Sequence, residues 1–458
     1  MKSLSSLLWL CLVAWFSSSQ AHAQANNQGT AGSWKAGFAK TAITPDRPMW
    51  MSGYASRNKP ATGTLHDLWA KAVALEDPQG NKVILITLDL VGIDRDTSSQ
   101  IRTQIARAAQ MDPGSICINC SHTHCGPVVG QNLRAMYFLG PIENLLVDKY
   151  TKNLIDTSVS VARRALLDLT PARISHGMGN ASFAVNRRNN KEADVPKIRE
   201  AGELKGPVDH AVPVLVVQDL KGNLRGLVCE YACHATTLDS YEWCGDYPGF
   251  GMLELEKRHP GAMALFCAGC GADQNPLPRR KVELAKQYGN QLADAVDKVL
   301  AVTTPEISGT LRSQYKEIPL GYAELPTREK LFEMSISMDR YQAARGAYLL
   351  QKMMVDRKLD ETYPYPIQVW HLGTGPVWVH LGGEVTVEYS LRLKAENKGK
   401  TLWVDGYSND VMAYIPSTKV LKDGGYEGAT SMVYYGLPST WAPAIEEQII
   451  TAANGLIK

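Results

Sequence analysis

VILITLDLVGIDRDTSSQIRTQIARAAQMDPGSICINCSHTH, residues 83–124, decides the fold. Val83–Val91 is a nearly continuous β-branched and aliphatic run, the composition of a strand buried on both faces. Asp94–Met111 then sets Ile101, Ile105 and Ala108 on one side at helical spacing, and Ser115–Ser121 returns as a second buried strand. Strand, helix and strand in this order make a βαβ unit, because parallel neighbours need a crossover between them. The unit ends on His122-Thr123-His124. In extended chain, residues i and i+2 share a face, so two imidazoles point into one space. A strand's carboxyl end is also where open α/β sheets place their chemistry.

Outward from this unit the alternation continues. The pattern gives a helix over Ile142–Leu169, strands near Arg173–Gly177, Val212–Asp219 and Leu224–Ala232, a helix over Phe250–Arg258 and an apolar strand over Ala262–Cys267. An amphipathic helix (Val282–Leu300), a polar strand (Leu311–Tyr322) and a long helix (Thr327–Lys358) follow. Ile367–Leu372 and Val377–Leu381 flank Gly373-Thr374-Gly375 as a hairpin, before a strand at Thr401–Asp405 and a closing helix at Pro443–Leu456. Asn189–Gly206 is the most polar stretch and reads as a surface loop, and no internal repeat is present. The expected fold is α/β: a mixed, largely parallel central sheet flanked by helices, with the active site at the strand carboxyl ends.

The first 23 residues stand apart. Met1-Lys2 gives a positive start, Leu7–Phe16 an apolar stretch, and Ala21-His22-Ala23 a small-x-small cleavage signature, the pattern of a secretory signal peptide. No later run approaches the ~20 apolar residues a membrane span requires. A single mature domain over residues 24–458, secreted or periplasmic and without a transmembrane segment, is expected. A composition of 45% hydrophobic and 21% charged residues suits a sizeable core. A net charge of +2 from scattered Lys and Arg leaves no basic face for nucleic acid. Cys11 lies in the leader. The other eight cysteines fall largely in apolar runs, so the pairs Cys117/Cys120 and Cys267/Cys270 read as buried thiols or disulfides rather than as a four-cysteine zinc site.

His122 and His124 have company. His234 ends the strand Leu224–Ala232, Asp246 lies in the turn Gly245–Gly249, and Asp273 follows the strand Ala262–Cys267. Glu384 follows the hairpin through Gly382-Gly383, and Tyr414 and Tyr426 lie in irregular chain after Thr401–Asp405. Two imidazoles, a carboxylate and an open position make the usual hydrolytic zinc arrangement. Plainer roles fit some of these residues as well. Asp246 and Asp273 suit helix N-caps, Tyr426 a core tyrosine, His124 a donor standing behind a metal ligand, and Arg187 beside Arg188 a solvated pair.

These residues carry a resemblance. Ser121-His122-Thr123-His124-Cys125-Gly126-Pro127 resembles the THTHSGP motif of the neutral/alkaline, non-lysosomal ceramidases. Tyr231–His234 resembles their second histidine motif, Gly245–Phe250 their SDNxGY segment, and Gly383–Thr386 their PGEFTT. Gly406–Ser417 resembles the stretch ending YxTT, Tyr426–Ala429 their YEGAS, and Asn186-Arg187 the arginine of NRSP. The segments fall in the family's order from about Ala36 to Gly436.

The resemblance implies one zinc ion held by His122, His234, Glu384 and Tyr414, with His124, Arg187 and Tyr426 at the scissile carbonyl or its oxyanion. Asp246 or Asp273 would move the proton of the attacking water or orient a histidine. The expected activity is a zinc-dependent amidohydrolase acting on a small-molecule or lipid substrate, ceramide being the family's. The chain departs from the family twice. The GDxSPN serine, proposed as nucleophile, is Asn275 here, which leaves attack by zinc-activated water, and the chain stops at Lys458 where full-length members add an immunoglobulin-like domain. Two other expectations share this site: zinc hydrolysis of a non-lipid ester, amide or sugar derivative, and a binding homologue without turnover.

Overall fold

The computed structural model describes residues 33–458, so the leader read at residues 1–23 lies outside the described residues. Strands β1 (Lys35–Ala42), β2 (Trp69–Glu76), β3 (Lys82–Leu88) and β4 (Ile116–Cys120) form a first sheet in the order β4-β3-β2-β1, with Thr170–Pro171 at its far edge. A second sheet has the order β8-β7-β6-β5, from β5 (Arg173–Asn180), β6 (Ala211–Gln218), β7 (Leu224–Tyr231) and β8 (Met263–Ala268). The third runs β9 (Leu311–Gly321), β10 (Thr362–Leu372), β11 (Val377–Leu381), β12 (Leu402–Asp405) in space as in sequence.

Each sheet has one parallel pair, and it lies at an edge: β3/β4, β7/β8 and β11/β12. Each pair is bridged by a crossover helix, α1 (Arg95–Ala109), α3 (Asp246–Arg258) and α7 (Val387–Glu396) respectively. The other helices of eight residues or more are α2 (Pro141–Leu167), α4 (Val282–Leu300), α5 (Arg328–Ser335), α6 (Arg340–Asp356) and α8 (Ile445–Ile457). The βαβ unit of residues 83–124 is thus one of three.

Strand periodicity explains how the sheets share one interior. Ala70, Ala72, Ala74, Ile84, Ile86 and Leu88 pack against Ile101 and Ile105 of α1 and Leu154, Ile155 and Val161 of α2. Their neighbours in sequence, Val73, Leu75, Val83 and Leu85, face the other way. They join a core with Leu215, Val217, Val228 and Leu265 of the second sheet and Trp370, Trp378 and Trp403 of the third. Asn119, at the end of β4, stitches the three together: its Oδ1 accepts from the Ala268 N–H and its Nδ2 donates to the Gly406 carbonyl.

The α/β class is as expected, and the sheets are mixed, but the strands are divided among three main sheets, with three two-stranded ladders beside them, rather than gathered in one. Antiparallel pairing predominates because the hairpin-linked strands β2/β3, β6/β7 and β10/β11 flank the three parallel pairs. The helix expected over Thr327–Lys358 is two. The chain breaks at Ile336–Asp339, where Asp339 caps α6 by accepting from the N–H groups of Tyr341 and Gln342. Asn189–Gly206 contains a short helix, Val195–Glu200. All eight described cysteines are buried free thiols, and the potential metal-holding group among the described residues is made of histidines. No helix among the described residues is long and apolar enough to cross a membrane.

Candidate metal centre

The three parallel edges deliver their carboxyl ends to one place. His122 and His124 follow β4, His234 follows β7, Glu384 follows β11, and Tyr414 lies beyond β12. All five side chains are buried. Glu384 Oε2 lies 3.2 Å from His122 Nε2 and 3.2 Å from His234 Nε2. His124 Nε2 is 3.2 Å from His122 Nε2, and the Tyr414 hydroxyl is 3.3 Å from His234 Nε2. Glu384 and Tyr414 are register partners in a two-residue parallel ladder, which fixes their separation through the backbone.

The ring orientations say what this cluster can hold. His122 Nδ1 donates to the Val91 carbonyl at 2.6 Å, and His234 Nδ1 donates to the Gly271 carbonyl at 2.8 Å. A carbonyl takes only an N–H, so in the neutral rings both Nε2 atoms carry lone pairs. Burial and the Arg187 charge hold the His234 imidazole down to about 4, so it is neutral near pH 7. Burial and the neighbouring His122 and His234 rings hold His124 well below its ordinary value. Glu384 Oε2 is buried and has no hydrogen-bond donor. Lone pairs and a carboxylate oxygen aimed at one point repel one another unless a cation sits among them. The donors fit a divalent ion of zinc type, and the carbonyls behind the imidazoles are the usual orienting partners of such ligands.

Arg187 forms the adjoining wall. It donates through Nε to Glu427 Oε1 (2.7 Å), through Nη1 to Asn275 Oδ1 (3.2 Å) and through Nη2 to the Tyr414 hydroxyl (3.0 Å). The Tyr414 proton is left for His234 Nε2. Burial and Glu384 push the Tyr414 phenol well above its ordinary value, against the pull of Arg187. Tyr426 stands 5.3 Å from Tyr414 between ring centroids and is 41% exposed, so the cluster meets solvent on that side.

Two expected proton carriers are placed differently. Asp246 accepts from the N–H groups of Thr237, Leu238 and Tyr247, and so organises the loop after His234. Asp273 accepts from the Val387 N–H and from Asn186 Nδ2, tying the start of α7 to the residue before Arg187. Burial and the nearby Glu388 push it up to about 7. Neither carboxylate bonds to a histidine of the cluster. A turn aspartate satisfied by backbone N–H groups and one facing substrate look alike in sequence.

Sequence reasoning also missed residues that build the centre. The Tyr435 hydroxyl donates to Glu384 Oε1. Tyr407 lies 4.4 Å from the His122 ring and Tyr54 4.6 Å from the His124 ring. Arg57 donates to the carbonyls of Ser52 and His124, at 2.6 Å each. Behind His124, Gly53 has φ +97°, and a Cβ there would lie 2.5 Å from the imidazole, so only glycine fits. His122 and Tyr407, whose rings meet in the cluster, are both left-handed non-glycine residues, φ +59° and +53°. Backbone strain of this kind concentrates at working sites. No motif marks Tyr435, Tyr54 or Arg57; their roles come from pairing across distant chain.

Residues 34–272, just over half of the chain, match the family described as neutral/alkaline non-lysosomal ceramidase, N-terminal. Over 274 residues the chain is 24% identical to the neutral ceramidases of Drosophila pseudoobscura pseudoobscura and Drosophila melanogaster, taking in 54% of this chain and 36% of each relative. It therefore spans about a third of the length of those curated relatives. Its fold is similar to that of the neutral ceramidase from Pseudomonas aeruginosa, with a TM-score of 0.69 at 19% identity over 92% of this chain and 73% of that one. A ceramidase complexed with C2 gives 0.70 at 18% identity, over 92% and 74%.

Proposed function

The chain belongs to the neutral/alkaline non-lysosomal ceramidase family, and from that premise we propose that it is a zinc-dependent amidohydrolase cleaving an N-acyl lipid of the ceramide class with water. One observation carries the reading: Glu384 Oε2 sits 3.2 Å from both His122 Nε2 and His234 Nε2, whose rings are turned lone pair inward by backbone carbonyls. His122, His234, Glu384 and Tyr414 would hold the ion. When bound, zinc supplies Lewis acidity and brings the pKa of water down towards about 7.

The chain's own residues supply the rest. Arg187, gripped by Glu427, keeps its guanidinium beside Tyr414 and Asn275, facing the space that Tyr426 borders. Arg187 and Tyr426 are donors for a developing oxyanion, each worth roughly 3 kcal/mol when preorganised. His124 turns Nε2 to the cluster, 3.2 Å from His122 Nε2, and is placed to take a proton there and return it to the leaving nitrogen. Asn275 cannot form an acyl-enzyme; its Oδ1 holds Arg187 in place instead. Asp246 and Asp273 act one step back, by fixing the loops that carry His234, Arg187 and α7. Export belongs to the same proposal and rests on the sequence pattern of the leader.

The test is metal analysis of the purified protein, followed by fatty-acid release from a ceramide panel with and without a chelator. One equivalent of zinc and chelator-sensitive release support the reading. Zinc without release from any N-acyl lipid overturns the lipid substrate in favour of another ester or amide. No bound metal overturns the enzyme.

A further inference from the structure

We infer that Cys125 and Cys244 are a disulfide-forming pair, a covalent modification site joining the histidine loop after β4 to the turn that enters α3. Cys125 stands where the THTHSGP motif has serine, directly after His124. Its carbonyl accepts from the Cys244 N–H at 3.2 Å, which sets the two residues side by side on adjacent chain. Two residues before Cys125, Thr123 Oγ1 donates to the Cys244 carbonyl at 2.8 Å, so the segments are pinned in register. The Cys125 side chain, ahead of burial, pushes the Cys244 thiol well above its ordinary value, as a thiol close by does. Residues joined laterally by a backbone hydrogen bond stand within the Cα separation that a disulfide spans. Cys270 is engaged differently, its thiol donating to the Val404 carbonyl at 3.7 Å.

Closing the bond takes one proton and one electron from each thiol. A disulfide oxidant such as oxidised glutathione accepts both electrons and both protons and leaves as two thiols. Both cysteines are buried in the folded chain, so the bond forms as the segments come together and is then shielded from reductant. It closes a loop of about 120 residues and makes the loop bearing His122 and His124 covalently continuous with the segment that positions Asp246. Neither the identity of the substrate nor that of the metal enters into the pairing.

The full chain is unfolded, refolded once in a glutathione redox buffer and once with excess reductant, then alkylated in denaturant and mapped by mass spectrometry without reduction. The oxidised sample should lose two alkylatable thiols and yield a Cys125–Cys244 linked peptide, with a melting temperature higher by roughly 5 °C than the reduced sample. C125S and C244S should each abolish that peptide and that rise. Full alkylation of Cys125 and Cys244 in the oxidised sample overturns the inference, as does a linked peptide joining either of them to another cysteine. The wild-type map alone separates these outcomes, so a variant that fails to fold leaves the test intact.

Discussion

Replacing Tyr435 by phenylalanine removes one oxygen atom and leaves every expected ligand of the metal centre in place. In the wild type the Tyr435 hydroxyl donates to Glu384 Oε1 inside the protein, while Oε2 of the same carboxylate faces His122 and His234. Burial and the Glu384 charge hold the Tyr435 phenol well above its ordinary value, so it is a proton donor throughout the working pH range. In Tyr435→Phe, Oε1 has no donor and the carboxylate is free to rotate away from the two imidazoles. A hydrogen bond to a charged acceptor is worth about 1.5–3 kcal/mol. At ~1.4 kcal/mol per decade, that is roughly 10- to 150-fold in affinity for the ion. Losing a partner behind a metal ligand costs about 10–100-fold in comparable sites. Competition against a chromophoric zinc chelator reads the dissociation constant directly, with Tyr434→Phe as control, since the Tyr434 ring packs at 5.1 Å on Tyr341 and makes no bond to Glu384. We expect zinc affinity to fall ten- to a hundredfold in Tyr435→Phe and to hold in the control. An affinity within threefold of wild type, in a protein with an unchanged circular dichroism spectrum, refutes the assignment of Glu384 as a ligand held by Tyr435.

Three more outcomes follow from the same geometry. His124→Ala should keep its zinc while losing at least a hundredfold in turnover, whereas His122→Ala and His234→Ala lose the metal; a metal-free His124→Ala would make His124 a ligand. Asn275→Ser removes the acceptor of Arg187 Nη1, and at about 1.5 kcal/mol for one charge-assisted bond turnover should fall roughly tenfold. Turnover within twofold of wild type would refute the role of Asn275 in holding Arg187. Asp410 is buried with Oδ1 unpartnered, and burial pushes its carboxyl up to about 7 from 3.8. A raised folded-state value means that its contribution to stability is fully present below the unfolded value and is lost as pH rises through 4 to 7, by up to about 4 kcal/mol. Urea unfolding at about pH 5 and pH 8 should show this loss in wild type and a flatter response in Asp410→Asn; equal slopes would refute it.

The sequence reveals strands where burial is two-sided. β3, β4, β6, β7, β8 and β11 are legible to within a few residues, because runs such as VILITL and MALFCA are apolar at every position or nearly so. β1 and β2 are not. KAGFAKTA and WAKAVALE are rich in alanine, a poor strand former, and their pairing is imposed by the tertiary structure. The division into three sheets is illegible for a related reason: a strand's own residues declare its burial but not its partner. Among site residues, His122, His234 and Glu384 are visible since each follows an apolar strand within a few residues. Tyr435 is invisible because a helical tyrosine next to a tyrosine carries no pattern that names an acceptor 51 positions away.

What makes the centre legible at all is a rule that the fold applies three times. A parallel pair linked by a crossover helix leaves two chain ends side by side at its carboxyl edge, one from each strand. His122 lies beyond β4, and its ring is turned by the carbonyl of Val91, beyond β3. His234 lies beyond β7, and its ring is turned by the carbonyl of Gly271, beyond β8. Glu384 lies beyond β11, and its backbone N–H donates to the carbonyl of Ala413, beyond β12. In each case the strand that carries the donor borrows its orientation from the strand beside it. The geometry of the cluster is therefore a property of strand pairing, and this is why residues as far apart as His122 and Glu384 need no long loop to reach one point. A histidine placed a few residues past a buried strand has a neighbour's carbonyl waiting, whereas Asp246 is taken up by the N–H groups of Thr237, Leu238 and Tyr247, and Asp273 by the Val387 N–H and the Asn186 amide.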